Sequence, residues 1–286
     1  MNTHLEGKQK AARVAGYEIV CLSDTGKVRS GNEDAVTAEP ALGLAVLADG
    51  MGGYAAGEVA SKLAVDEVLS ELTSALPHLL LKSGPDLERG MVEDLRFAAS
   101  RANESIVKLA GRESDYEGMG STLVIAVLSV DRIHIGHLGD SRAYRFADGR
   151  IQQLTRDHCW IDEQIEAGNL PAEALADPRY KNIVTRALGI EDEVDLEVHE
   201  HPAAHDDIFL LCSDGLTDMV SDAEMASILA LKEGLAERAQ RLVDKANGNG
   251  GKDNISVILM RAAVEPPTGW AAKLMRRLHG DSRSRS

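Results

Sequence analysis

Aromatic residues make up 3% of this 286-residue chain, which leaves few rings on which nucleobases could stack. Basic residues are in deficit as well. Against 46 Asp and Glu stand 31 Lys and Arg, for a formal charge of −15. A phosphate backbone would find no broad basic face, so no nucleic-acid partner is expected. Cysteine is limited to Cys21, Cys159 and Cys212, with no framework spacing, in or near apolar runs. They read as reduced thiols rather than disulfides. The first twenty residues lack the apolar stretch of roughly 7–15 residues and the small-residue cleavage site of a secretory leader. No segment approaches the ~18 consecutive apolar residues of a membrane span. A cytoplasmic address is expected, with a monomer as the default.

Hydrophobic residues are plentiful, at 44%, enough to build a large core. The most informative run is Leu44–Gly53, LAVLADGMGG. Its apolar half reads as a buried strand that delivers Asp49 into a glycine turn. Glycine lets backbone approach a ligand closely and frees the Gly50 carbonyl as a donor. A carboxylate and a carbonyl at a strand end suit a hard divalent cation.

Along the chain, residues 1–16 read as a loose arm and Tyr17–Ser23 as a first strand. Asp24–Ala35 is polar and glycine-punctuated, a loop or strand pair. After Gly57, apolar residues recur at helical steps from Val59 to Leu72. Pro77, Gly84 and Pro85 mark a break before a second amphipathic helix, Met91 to Leu109. Thr122–Val130 and Arg132–Leu138 form a hairpin, and Asp148-Gly149 turns another between Ala143–Phe146 and Ile151–Leu154. Ile161–Ala167 looks helical within an irregular stretch from Asp157 to Gly189. Strands at Val194–His199 and Asp207–Cys212, helices at Ser221–Leu231 and Leu235–Ala246, and a strand at Ile255–Met260 follow. This order predicts an α+β fold, a layered sandwich with hairpin-connected strands and helices outside.

Five junctions share one character. Asp49, Asp214 and Asp253 each stand at an end of an apolar strand beside glycine or asparagine, and Glu33-Asp34 and Gly139-Asp140 add two more acidic points. Gathered at one end of a sandwich, these charges would repel strongly unless cations neutralised them. With oxygen ligands only, Mg²⁺ or Mn²⁺ is favoured over Zn²⁺.

The segments RSGNED (Arg29–Asp34), DGMGG (Asp49–Gly53), GMGST (Gly118–Thr122), GDSR (Gly139–Arg142), TRDH (Thr155–His158), TRALG (Thr185–Gly189), SDGL (Ser213–Leu216) and KDN (Lys252–Asn254) resemble, in order, the motifs of the type-2C, metal-dependent serine/threonine protein phosphatases of bacteria. The match runs from about Tyr17 to Arg261. It implies a four-layer α-β-β-α sandwich, two antiparallel β-sheets flanked by helices, over residues 17–264. The segment at about 157–188 resembles the flap of bacterial members and is expected to tune which phosphoprotein docks; the arm and a basic tail at 265–286 flank the domain. By resemblance, Asp49 bridges two core ions and the Gly50 carbonyl joins it. Asp214 and Asp253 complete the second ion, and Asp140 with Asp214 holds a weaker third. Glu33 and Asp34 orient waters, and Arg29 holds the substrate phosphate. Phosphorylated proteins and a counteracting Ser/Thr kinase are the implied partners. A catalytically silent binding module of the same fold is the alternative.

One departure stands out. Some family members carry a histidine after the Asp-Gly as a general acid, and here that residue is Met51, which has no proton to give. His158 is a candidate by proximity to a motif, whereas His137 reads as a packed strand residue. Gly139–Ser141 could suggest a GDSL-type serine hydrolase, but no His-Asp arrangement follows it. His199, His201 and His205 read as a solvated turn rather than a metal cluster. Pro266–Ser286, with five basic residues and one acidic, could form a basic amphipathic helix that touches a membrane or partner; a solvated tail is the plainer reading.

Overall fold

A computed structural model describes residues 10–14, 16–53, 55–129, 131–171, 183–204 and 206–262. Two antiparallel sheets pack face to face. The first runs in the order β1 (Lys10–Val14), β2 (Tyr17–Asp24), β12 (Ile255–Ala262), β11 (Ile208–Cys212), β8 (Arg142–Ala147), β9 (Arg150–Gln153). The second runs β10 (Glu197–Pro202), β7 (Arg132–Leu138), β6 (Leu123–Leu128), β4 (Leu44–Met51), β3 (Asp34–Glu39), with the short β5 (Gly120–Ser121) on the end of β4.

The two-residue period of a strand sorts β4 between two cores. Leu44, Val46 and Ala48 face α1 (Ala56–Leu79) and α2 (Pro85–Ala110), together with Val68, Leu72, Leu95 and Ile106. Ala45 and Leu47 face the other sheet, against Phe209, Leu211 and Ile258. A third core lies outside the first sheet, where Leu210, Val257 and Leu259 meet α3 (Asp222–Leu229) and α4 (Leu235–Gly248). Three cores separate four layers, so the expected α-β-β-α sandwich is the fold. Asp148 and Gly149, both at positive φ, close the β8–β9 hairpin as predicted.

The differences are local. Lys10–Val14, within the stretch expected to be a loose arm, pairs with β2. Helix α1 runs through Pro77 to Leu79, because a proline in the last turn forfeits only one hydrogen bond before the helix ends. The strand expected at Val194–His199 starts at Glu197 and pairs with β7 up to Pro202. The middle of the flap (residues 172–182), His205 and the basic tail lie outside the described residues.

Candidate metal centre

Strand pairing delivers the acidic residues to one end of the sandwich. In the β3–β4 register Asp34 lies directly opposite Asp49. On the other sheet β11 and β12 are neighbours, with Cys212 opposite Val257. Asp214 therefore follows one strand while Asp253 precedes the other, and Asp140 follows β7. Ser213 Oγ donates to Asp34 Oδ2 at 2.7 Å, joining the two sheets at the cluster.

The backbone under Asp49 is fully used. Its N–H donates to Thr122 Oγ1 at 3.0 Å, and its carbonyl accepts from Thr122 N–H at 2.8 Å and Ser121 Oγ at 3.0 Å. These backbone bonds fix where the Asp49 side chain leaves the strand, beside that of Asp34, to which it is hydrogen-bonded. Gly50 is required by contact: a Cβ there would stand 2.0 Å from the Gly57 carbonyl oxygen.

Burial and mutual repulsion dominate the electrostatics. Asp49 is held well above the usual carboxylate range by burial, then by Asp34, Asp214, Asp140 and Asp253. Burial, reinforced by Asp140 and Asp253, pushes Asp214 up to about 8. Asp140 rises to about 6 through burial and then Asp157. Asp34 also rises to about 6 through burial, against the opposing pull of the Ser213 and Ser256 hydroxyls. Burial raises Glu33 as well, with Arg29 opposing. Among the described residues, Arg29 is the one cation salt-bridged to this group, at 2.7 Å from Asp253. Asp34 Oδ1 is buried with no hydrogen-bond partner. A cluster of this kind fits divalent cations, because they neutralise the charge and satisfy the oxygens.

The sequence profile of the family described as Protein phosphatase 2C matches residues 27–259. The chain belongs to the protein phosphatase 2C family. It is 39% identical over 241 residues to the serine/threonine phosphatase stp of Listeria monocytogenes strain EGD-e, covering 83% of this chain and 93% of that protein. The S. agalactiae serine/threonine phosphatase superposes with a TM-score of 0.78 at 34% identity, covering 86% of this chain and all of that one. The catalytic domain of the phosphatase PstP, solved with two manganese ions, gives 0.72 at 35% identity, covering 87% and 99%. Phosphatases of this family depend on Mn²⁺ or Mg²⁺, and this chain keeps an all-oxygen donor set.

Within this 2C phosphatase, Glu33, Asp34, Asp49, Gly50, Asp140, Asp214 and Asp253 lie at or beside strand ends, and Arg29 reaches them from the β2–β3 loop. Residues that support them went unread in the sequence. Asn254, 5% exposed, accepts from Glu33 N–H at 2.7 Å and donates to the Thr25 and Gly31 carbonyls at 3.0 and 2.9 Å. It holds the loop that carries Arg29. Thr122, Ser213 and Asn254 stand inside the GMGST, SDGL and KDN segments, and that membership was the signal the sequence offered for them. Ser141 is fully buried and bonded to Thr122 at 2.8 Å, unlike an exposed serine nucleophile. His158 is buried, with Nδ1 accepting from Gly139 N–H at 3.1 Å, which ties it to the Asp140 turn instead of leaving it free as an acid. His199 and His201 lie along β10, and the compact histidine group is a different one, His137, His158 and Glu197.

A cavity of about 680 Å³ opens beside the described part of the flap, lined by Asp157, His158, Glu163, Arg186, Glu193 and Glu197 among others. None of the five clustered aspartates lines it, so the carboxylate cluster and not this cavity locates the chemistry.

Proposed function

We propose that this protein hydrolyses phosphoserine and phosphothreonine monoesters in proteins at the Asp49 cluster. The observation that carries the reading is the convergence of four further carboxylates, those of Asp34, Asp140, Asp214 and Asp253, on Asp49. Asp49 would bridge two Mn²⁺ or Mg²⁺ ions, with the Gly50 carbonyl on one and Asp214 and Asp253 on the other. Asp140 and Asp214 would hold a third, weaker ion. When bound, the ions acidify water and offset the charge on the phosphoryl oxygens.

The chain's own groups do the rest. Asp34 accepts the Ser213 hydroxyl on Oδ2 and keeps Oδ1 as a proton acceptor for water. Glu33, fixed through its backbone to Asn254 and Gly50, orients a second water. Arg29 presents a planar fork to the phosphate oxygens. A P–O bond to water oxygen forms as the ester P–O bond breaks, and the departing alkoxide takes a proton. Met51 holds none, so water in the site supplies it.

Such substrates are products of Ser/Thr kinases, so a counteracting kinase and a signalling role follow. We assign residues 17–264 to the catalytic domain, with the flap at 157–188 tuning which phosphoprotein docks. A cytoplasmic monomer is consistent with three cysteines that form no disulfide. The test is release of phosphate from phosphothreonine peptides with Mn²⁺, abolished by EDTA and by Asp49→Asn. An inactive wild-type protein would favour the silent binding module.

A further inference from the structure

His137, His158 and Glu197 bring three potential ligand atoms within 4.8 Å of one another. His137 Nδ1 is buried without a hydrogen-bond partner, and His158 Nε2 lies 3.2 Å from Glu197 Oε1. Two imidazoles and a carboxylate are a zinc-like set, but the tautomers decide against it. A neutral imidazole has one N–H and one bare nitrogen. His158 Nδ1 accepts the Gly139 N–H, so its proton sits on Nε2, facing Glu197. A ligand nitrogen would have to be bare there.

What the two rings hold instead is one residue, Gly139. The Gly139 carbonyl lies 2.9 Å from His137 Nε2 and accepts from His158 N–H at 2.8 Å. With His158 Nδ1 on its N–H, both polar groups of Gly139 are bound by histidine residues. Gly139 has φ +104°, and a Cβ there would stand 2.7 Å from Thr122 Cγ2. Thr122 in turn bonds Asp49 N–H and Ser141. The turn that aims Asp140 is therefore clamped between Thr122 and the base of the flap.

We propose that His158 is a positioning residue for Asp140, coupling the flap base to the weakest metal position of the site. Through Nδ1 it fixes the Gly139 amide, and Glu197 keeps the proton on the other nitrogen. The proposal rests on Asp140 being a ligand, so the experiment separates the two claims. Mn²⁺ binding is followed by calorimetry in the full-length protein, beside its activity on a phosphothreonine peptide.

Asp140→Asn should remove the weakest binding event; if every event persists, the ligand reading of Asp140 is what fails. His158→Gln should weaken that same event by about 10–100-fold, the usual effect of losing an outer hydrogen-bond partner, with the tighter events kept. His158→Asn carries an oxygen where Nδ1 stood and should restore it, together with activity. Parental affinity in His158→Gln, when Asp140→Asn has lost the event, overturns the proposal. Should His158→Gln not fold, imidazole ¹⁵N NMR of the wild type still decides. His158 should show bare Nδ1 and protonated Nε2; a protonated Nδ1, or a Zn²⁺-dependent shift of its Nε2, overturns it.

Discussion

Arg29 Nη2 donates to Asp253 Oδ2 at 2.7 Å across 224 positions of sequence. One of the proposed metal ligands thus anchors the residue proposed to receive phosphate. Asp253 raises the Arg29 guanidinium further above its ordinary value, first by the hydrogen bond and then by charge. The side chain remains half exposed, at 52%, and can turn to a ligand at little cost.

Arg29→Ala should lower kcat/KM for a phosphothreonine peptide by about 10–100-fold, mostly through KM, because a charge-assisted bidentate contact is lost. Arg29→Lys should fall between, since lysine keeps the charge without the fork. Steady-state kinetics at saturating Mn²⁺ reads both. An alanine variant with parental kcat/KM would remove Arg29 from substrate binding.

Removing the metal should invert the pH dependence of stability. Asp34 and Asp140 at about 6 and Asp214 at about 8 hold protons more tightly when folded than the ordinary value of 3.8. The contribution is fully present below the unfolded value and is lost as pH rises through 6 and then 8. In EDTA the melting temperature should therefore fall from about pH 5 to about pH 8, and Mn²⁺ should recover more at the higher pH. Asp49→Asn should be more stable than the parent in EDTA at about pH 8, by about 1–3 kcal/mol, and so melt higher, because it removes a buried like charge. A lower melting temperature for that variant would mean that Asp49 stabilises the metal-free fold.

The part of this molecule that could be read in advance is the part written in apolar residues. Leu44–Ala48 is buried on both faces, and its run of Leu, Ala and Val ending at Asp-Gly could mean little else. Strand β3, DAVTAE, is half-buried at every position, so no two-residue alternation marks it. Strand β10 is polar, EVHEHP, because it lies at a sheet edge, and its start was misplaced. At the site, the acidic residues announced themselves by recurring at strand ends. Their supports did not, since Thr122, Ser213 and Asn254 look like any surface hydroxyl or amide until the sheets are paired. The His137–His158–Glu197 group is assembled from β7, the flap base and β10, and no spacing in sequence brings those together.

Asn254 offers a test of the support around Arg29. Its side-chain amide makes three hydrogen bonds, to Glu33, Thr25 and Gly31, and it is nearly inaccessible to water. Asn254→Ala should cost about 3 kcal/mol, at roughly 1 kcal/mol per bond, read by urea unfolding in Mn²⁺. It should also raise KM, because the loop that carries Arg29 is released. Lost stability with an unchanged KM would show that this loop does not place the phosphate-binding arginine.

Gly50 and Gly57 cross where the end of β4 meets the first turn of α1, and the two positions should respond differently to alanine. A Cβ on Gly50 would meet the Gly57 carbonyl oxygen at 2.0 Å and the Glu33 carbonyl oxygen at 2.8 Å. Both are backbone atoms, one in a helix and the other bonded to the Gly50 N–H at the start of β3, so neither can swing away. Gly50→Ala should cost about 3–5 kcal/mol and abolish metal binding. A Cβ on Gly57 would instead meet Glu33 Oε1 at 2.7 Å, with the Gly50 oxygen at 2.9 Å. The carboxylate end of Glu33 can rotate, so Gly57→Ala should cost only about 1–3 kcal/mol while lowering kcat, because Glu33 is displaced. The clash predicts its own relief: in a Glu33→Ala background, Gly57→Ala should be less destabilising by about 0.5 kcal/mol or more, a coupling readable in a double-mutant cycle. Strict additivity would locate the cost in the Gly50 carbonyl instead, leaving Glu33 out of the helix–strand contact.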